Sequence, residues 1–133
     1  MSTHINDFKN EVLIQSAGNT EVPAVLTTTL TGDALDFLRG DGNCFAIQSV
    51  GSVVGTEGTL TGKIQESTTT TSGDFTDVTG ATFTAVTTST NLQAINFQRT
   101  KRYLRYVGTV AGTVTSFAAD AIIGQPLKVV PTG

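Results

Sequence analysis

Short alternating runs, broken by turn residues about every ten positions, set the terms on which this chain can fold. The clearest is TLTGKIQES, residues 59–67, in which Leu60, Gly62, Ile64 and Glu66 alternate with Thr61, Lys63 and Gln65. A period of two places successive side chains on opposite faces of a strand. CFAIQSV (44–50) sets Phe45, Ile47 and Ser49 against Ala46, Gln48 and Val50, and LQAINFQ (92–98) sets Leu92, Ala94 and Asn96 against Gln93, Ile95 and Phe97. Thr, Val and Gly dominate between these runs, whereas the Lys, Glu and Leu that build surface helices are scarce. β-Branched side chains lose least where χ1 is already restricted, which is the situation on a pleated surface. The expected fold is all-β.

The remaining segments fit that reading. VPAVLTTTL (22–30) is extended, with Pro23 suited to a strand start or edge, and Gly32 and Asp33 end it. ALDFLRGDGN (34–43) alternates at Leu35 and Phe37 but also groups Ala34, Leu35 and Leu38 on one helical face; we read it as a strand running into a turn at Gly40–Asn43. TTTTSGD (68–74) has no core pattern and reads as an exposed connection. FTDV (75–78) and TFTAV (82–86) read as short strands, and RYLRYVGTV with GTVTSFAADAII as a hairpin turning at Ala111 and Gly112. Gly124, Gln125 and Pro126 close the last long strand. Eight to ten strands at this spacing predict a sandwich, a jelly roll or a small barrel. TLTG occurs at 29–32 and again at 59–62 with unlike flanks, which we take as chance.

With 133 residues, the chain is one domain by length. Residues 1–20 read as an N-terminal arm, with one short strand at Val12 to Gln15, and 21–133 as a single β-sandwich. Neither a signal peptide nor an apolar run long enough to span a membrane is visible, so the expectation is a soluble protein without a membrane partner. A net charge of −3 lacks the broad basic field that a phosphate backbone requires, so nucleic acid is not an expected partner.

The residues that carry chemistry elsewhere do not assemble into a motif here. His4 is the only histidine and lies in the arm, where a Ser/His/Asp or Cys/His pair has little to build on. Cys44 is the only cysteine, which excludes an internal disulfide and a thiolate cluster, and it opens an apolar strand as a buried, inert thiol. GTLTGK (58–63) has three residues between its glycines where a phosphate loop needs four, and Ile64 follows the lysine in place of Ser or Thr. Asp33, Asp36 and Asp41 do not have the spacing of a calcium loop and read as turn aspartates. We expect no catalytic residue, no cofactor and no bound metal.

One stretch stands apart. FQRTKRYLRYVGTV (97–110) contains Arg99, Lys101, Arg102 and Arg105, half of the 8 Lys and Arg in the chain. If residues 98–110 are extended, Arg99, Lys101, Tyr103 and Arg105 share an outward face, and Arg102, Leu104 and Tyr106 share the other, with Leu104 and Tyr106 inward. Two readings stay open. Charges on an exposed strand hinder edge-to-edge aggregation; alternatively Arg99, Lys101, Tyr103 and Arg105 form a docking patch for a partner's carboxylates.

DALDFLRGDGNCFAIQSV (33–50), GTLTGKIQES (58–67), the polar loop with FTDV after it, and KRYLRYVGTVAGTVTSFAADAII (101–123) together resemble the cement or decoration proteins of tailed-bacteriophage capsids. Coverage is from about residue 30 to 124, in one order along the chain, although TTTTSG is poorer in acidic residues than that family's loop. The resemblance implies a jelly-roll-like sandwich and a non-enzymatic virion protein on the capsid exterior, made in the cytoplasm of an infected bacterium. It also implies binding to the major capsid protein where capsomers meet, as a small homo-oligomer, a dimer or trimer. Rival readings are another virion β-domain, of neck, tail or fibre, and a carbohydrate-binding module. The last is disfavoured by the lack of Trp and by having only Tyr103 and Tyr106 to build a sugar platform.

Overall fold

A computed structural model describes residues 12–16, 24–26, 29–38, 40–55, 57–87, 90–113 and 116–126. Ten strands account for most of them: β1 (Val12–Ser16), β2 (Ala24–Leu26), β3 (Leu30–Thr31), β4 (Leu35–Asp36), β5 (Cys44–Val54), β6 (Glu57–Ser67), β7 (Thr76–Thr82), β8 (Asn91–Phe97), β9 (Tyr103–Thr113) and β10 (Ser116–Pro126). They form two antiparallel sheets. In the first, the order is β1-β10-β5-β8, with β2 on the same edge of β10 as β1; in the second it is β3-β9-β6-β7, with β4 beside β3 on the edge of β9. Counting β1 with β2 and β3 with β4 as interrupted strands leaves eight, and their order is that of a jelly roll, two Greek keys folded face to face. The expected all-β sandwich is therefore what the chain forms.

The alternation seen in the sequence dictates which residues meet between the sheets. Cys44, Ala46, Gln48 and Val50 of β5 are buried, as are Leu60, Gly62, Ile64 and Glu66 of β6, Leu104 and Tyr106 of β9, and Phe117, Ala119, Ala121 and Ile123 of β10. Phe37, Ile64, Phe83, Phe97, Leu104, Tyr106 and Ile123 form the larger core cluster, and Val50, Leu60, Val86 and Phe117 a smaller one at the other end. The Phe83 and Tyr106 rings meet edge to face, 6.3 Å between centroids. Leu104 and Tyr106 point inward as expected, and Thr68–Thr70 are exposed.

Three expectations are corrected. The segments around Ala111 and Gly112 do not make a hairpin: β9 pairs with β6 and β10 with β5, so the chain crosses from one sheet to the other between them. Gly112, with φ at 81°, lies inside β9 and registers on Gly58. Hairpin and crossover share the same alternation and the same turn residues, and burial decides between them, since Tyr106 and Ile123 face each other across one core. TFTAV is not a strand of its own. Thr82 ends β7, and Val86 makes a single bridge to Leu60. Residues 98–102 are not extended as part of β9, which starts at Tyr103, because Glu66 captures the Thr100 and Lys101 backbone amides and turns the chain there. ALDFLRGDGN contains only the two-residue strand β4 and no helix. The arm residues 1–11 and 17–20, including His4, lie outside the described residues, whereas Val12–Ser16 is an edge strand on β10.

Candidate partner-binding surface

The basic stretch is built around Glu66. Its alternation places Glu66 on the buried face of β6, only 8% exposed, where a carboxylate needs donors. One oxygen accepts from Thr100 N at 2.7 Å and Lys101 N at 3.3 Å, and the other from Thr100 Oγ1 at 2.9 Å. That turn positions Arg99. Its guanidinium donates to Gln125 Oε1 (2.8 Å), Lys101 O (2.9 Å), Phe37 O (2.6 Å) and Gly40 O (2.9 Å). Gln125 in turn donates to Gly42 O at 2.8 Å, and Asp41 N to Pro126 O at 2.8 Å. Arg99 therefore braces three segments at one end of the sandwich: the β4–β5 loop, the β8–β9 loop and the end of β10.

The other predicted site residues have different surroundings. Lys101 reaches Thr76 Oγ1 at 3.4 Å. Tyr103 begins β9 with the Arg102 guanidinium 5.0 Å from its ring centroid, and Arg102 also holds Asp36 through two bonds of 2.7 and 2.9 Å. Arg102 pulls the Asp36 carboxyl down to about 2, with the Leu38 amide helping. Arg105 lies 4.2 Å over the Phe75 ring and donates to Gln65 Oε1 and Ser72 Oγ; partial desolvation lowers its pKa. Gln65 and Lys63 both donate to Asp77 and lower its pKa. The structure thus brings Tyr103 and Arg105 together on the outer face of the β9 sheet and places Arg99 elsewhere, in the brace.

Beside the brace is a polar recess of about 340 Å³, lined by Gly40, Asp41, Gly42, Asn43, Gln98 and Thr100, with Arg99 and Gln125 in its wall. Gln98 and Asn43 bond to each other across it at 2.8 Å. Among the described residues no three His, Cys, Asp or Glu side chains are grouped to hold a metal, and none forms a helix long and apolar enough to cross a membrane. Cys44 is buried, and desolvation raises its pKa, the condition of an unreactive thiol.

The outer face of the β10 sheet has a different character. Its register aligns Gly124, Phe45 and Asn96 in one row, Ile122, Ile47 and Ala94 in the next, and Asp120, Ser49 and Leu92 in a third. A Cβ at Gly124 would overlap the Phe45 ring, so the ring lies directly over the glycine backbone and flattens the face. Leu92 is 74% exposed and Ala94 is exposed. Sequence reasoning passed over this surface, though a signal existed: neither face of CFAIQSV or LQAINFQ carries a charge. No family model matches the chain, and no curated protein matches it in sequence.

Proposed function

We propose that this chain is a non-enzymatic virion protein that binds the outside of a tailed-phage capsid and stabilises contacts between neighbouring capsomers. The jelly-roll strand order carries the reading. The segments that resemble the cement proteins, 33–50, 58–67 and 101–123, contain β4, β9 and most of β5, β6 and β10, and so include the central strands of both sheets in the architecture the resemblance implies. A protein of this kind acts by mass action: it binds the assembled lattice better than free subunits, so its binding free energy adds to shell stability. Many copies, or a small oligomer touching several capsomers, multiply modest contacts through effective concentration.

The test is stoichiometry in purified particles, measured against the major capsid protein, with imaging of particles made with and without the chain. Copy numbers comparable with capsomers, density on the outer shell and earlier heat rupture when the chain is missing are the expected results. About a dozen copies at one vertex assign it to the neck or tail by ring symmetry, and absence from particles refutes a virion role.

A further inference from the structure

Of all the aspartates and asparagines in the chain, only Asp41 is followed by a glycine. The pair lies in the β4–β5 loop, where Asp41, Gly42 and Asn43 are exposed. Gly42 has φ at 93°, and a Cβ built there would meet nothing within 4 Å, so the turn calls for glycine and the space beside it is open. Among the described residues, neither the Gly42 N–H nor the Asp41 carboxylate has a hydrogen-bond partner. The other described aspartates are placed differently. Asp36 is followed by Phe37, whose N–H donates to Arg102 O at 3.0 Å, and Asp74 by Phe75, whose N–H donates to Ser72 O. Asp77 and Asp120 lie within strands, and Asp33 is followed by Ala34, whose Cβ crowds the amide.

We infer that Asp41–Gly42 is a site of spontaneous backbone rearrangement in the folded protein, and that the isoaspartyl product loosens the Arg99 brace. The Gly42 amide nitrogen attacks Cγ of the protonated Asp41 carboxyl; the N–Cγ bond forms, a Cγ–O bond breaks, and the hydroxyl leaves as water with the amide hydrogen. The step is intramolecular, so it requires only that nothing hold the two groups apart. Water then opens the succinimide ring. Addition at Cγ restores aspartate, whereas addition at the α-carbonyl leaves the main chain running through Cβ and Cγ, with the α-carboxylate as the side group. The water lost is regained, so mass is unchanged and no oxidant, metal or enzyme takes part.

The consequence follows from what is fastened on either side. Asp41 N donates to Pro126 O, and Gln125 Nε2 to Gly42 O, each at 2.8 Å. Isomerisation inserts one C–C bond, about 1.5 Å, between these anchors, so they cannot both keep their register on β10. The Asp41 side is also held by Arg99 through Gly40 O, so the Gly42 end yields. Its release frees Gln125, the side chain whose Oε1 accepts from Arg99 Nε. The chemistry is a property of the chain alone; under the proposed function its product accumulates with particle age, since no synthesis replaces a chain on a released particle.

The experiment holds purified full-length protein for weeks at physiological temperature, folded or in urea, and assays it with an isoaspartyl methyltransferase and by peptide mass spectrometry. Asp41→Glu, which would have to close a larger and slower-forming ring, is the control. Asp41→Asn, which reaches the same succinimide by losing ammonia, reports whether the folded loop can close it. Melts of fresh protein establish that each variant folds. In folded wild-type, a peptide spanning residue 41, unchanged in mass but shifted in elution, is expected to accept the methyl label and to grow with time. Asp41→Glu stays unlabelled there, Asp41→Asn converts sooner, and the isoaspartyl fraction of wild-type melts at a lower temperature than fresh protein. Rearrangement in urea but not in the folded state overturns the site, because the fold then holds the groups apart, and a folded Asp41→Asn that keeps its amide overturns it in the same way. Labelling that persists undiminished in Asp41→Glu belongs to another residue and also overturns it. An isoaspartyl fraction that melts like fresh protein overturns the loosening of the brace. All of these outcomes leave the capsid role to its own test by copy number.

Discussion

Replacing Arg99 separates an internal brace from a docking cation. Its guanidinium makes four hydrogen bonds of 2.6–2.9 Å, three of them to backbone carbonyls in two different loops. A bond from a charged donor contributes about 1.5–3 kcal/mol when removed singly. Four bonds from one group are not additive, and in Arg99→Ala some of the freed carbonyls regain water. A loss of about 3–4 kcal/mol is therefore expected, which for a domain of this size lowers the melting temperature by roughly 10–15 °C. Arg99→Lys keeps the charge but loses the fork, so it recovers less than half of the deficit. Urea unfolding followed by far-ultraviolet circular dichroism gives the numbers, provided the slope of the transition is unchanged. A loss below about 1 kcal/mol in Arg99→Ala would refute the brace and return Arg99 to the surface patch with Tyr103 and Arg105.

Other outcomes follow from the core and the exposed pairs. A Cβ at Gly62 would overlap Gln48 and come 2.7 Å from Tyr106 Oη, so Gly62→Ala destabilises by about 1–3 kcal/mol or more in denaturant titration. Tyr106→Phe removes the donor to buried Gln48 Oε1 at 2.5 Å and costs about 1–3 kcal/mol, whereas Tyr106→Phe with Gln48→Met costs less than that single change. The Asp36 carboxyl sits at about 2 in the folded chain against an ordinary 3.8, so its contribution is complete above about pH 4 and is lost as pH falls towards 2. Both side chains of the pair are nearly half exposed, so Asp36→Asn flattens the acid limb of a stability–pH curve only slightly, and less in high salt. Cys44 fails to react with an aromatic disulfide reagent in the native protein and reacts fully in denaturant.

The faces of the strands were legible because period-two alternation is local: Leu60, Gly62, Ile64 and Glu66 share the buried side of β6 as the sequence indicates. What alternation does not encode is which sheet a strand joins. β9 and β10 therefore read as a hairpin, although the partners of Tyr106 and Ile123 lie far away in sequence. The basic stretch departs from its alternation for a related reason. Alternation alone puts Arg99, Lys101 and Arg105 on one extended face, but Glu66, 34 residues earlier, captures Thr100 and bends the chain before β9 begins. The cue was present as a carboxylate on an otherwise apolar strand face, and Gln48 between Ala46 and Val50 gave the same kind of signal for the Tyr106 contact. The nearly uncharged outer face of the β10 sheet has no motif to read, because an absence of charge is spread over three separated strands.

The place of β10 also governs the order in which the protein can be completed during synthesis. Among the described residues β1 and β2 pair only with β10, and β5 has β8 on its other side. Until residues 116–126 have been made, β1 and β2 lack the strand they pair with in the fold, and among the described strands this sheet is a two-stranded ribbon with an open edge. Such a nascent chain leaves Ala46 and Val50 without Ile123 and Phe117, their β10 partners in the core, for much of its elongation, a period in which chaperone capture competes with misassembly. Closure of the sheet is then a single late event that joins the first strands to the last, and a chain truncated before β10 keeps only the β5–β8 ribbon of this sheet.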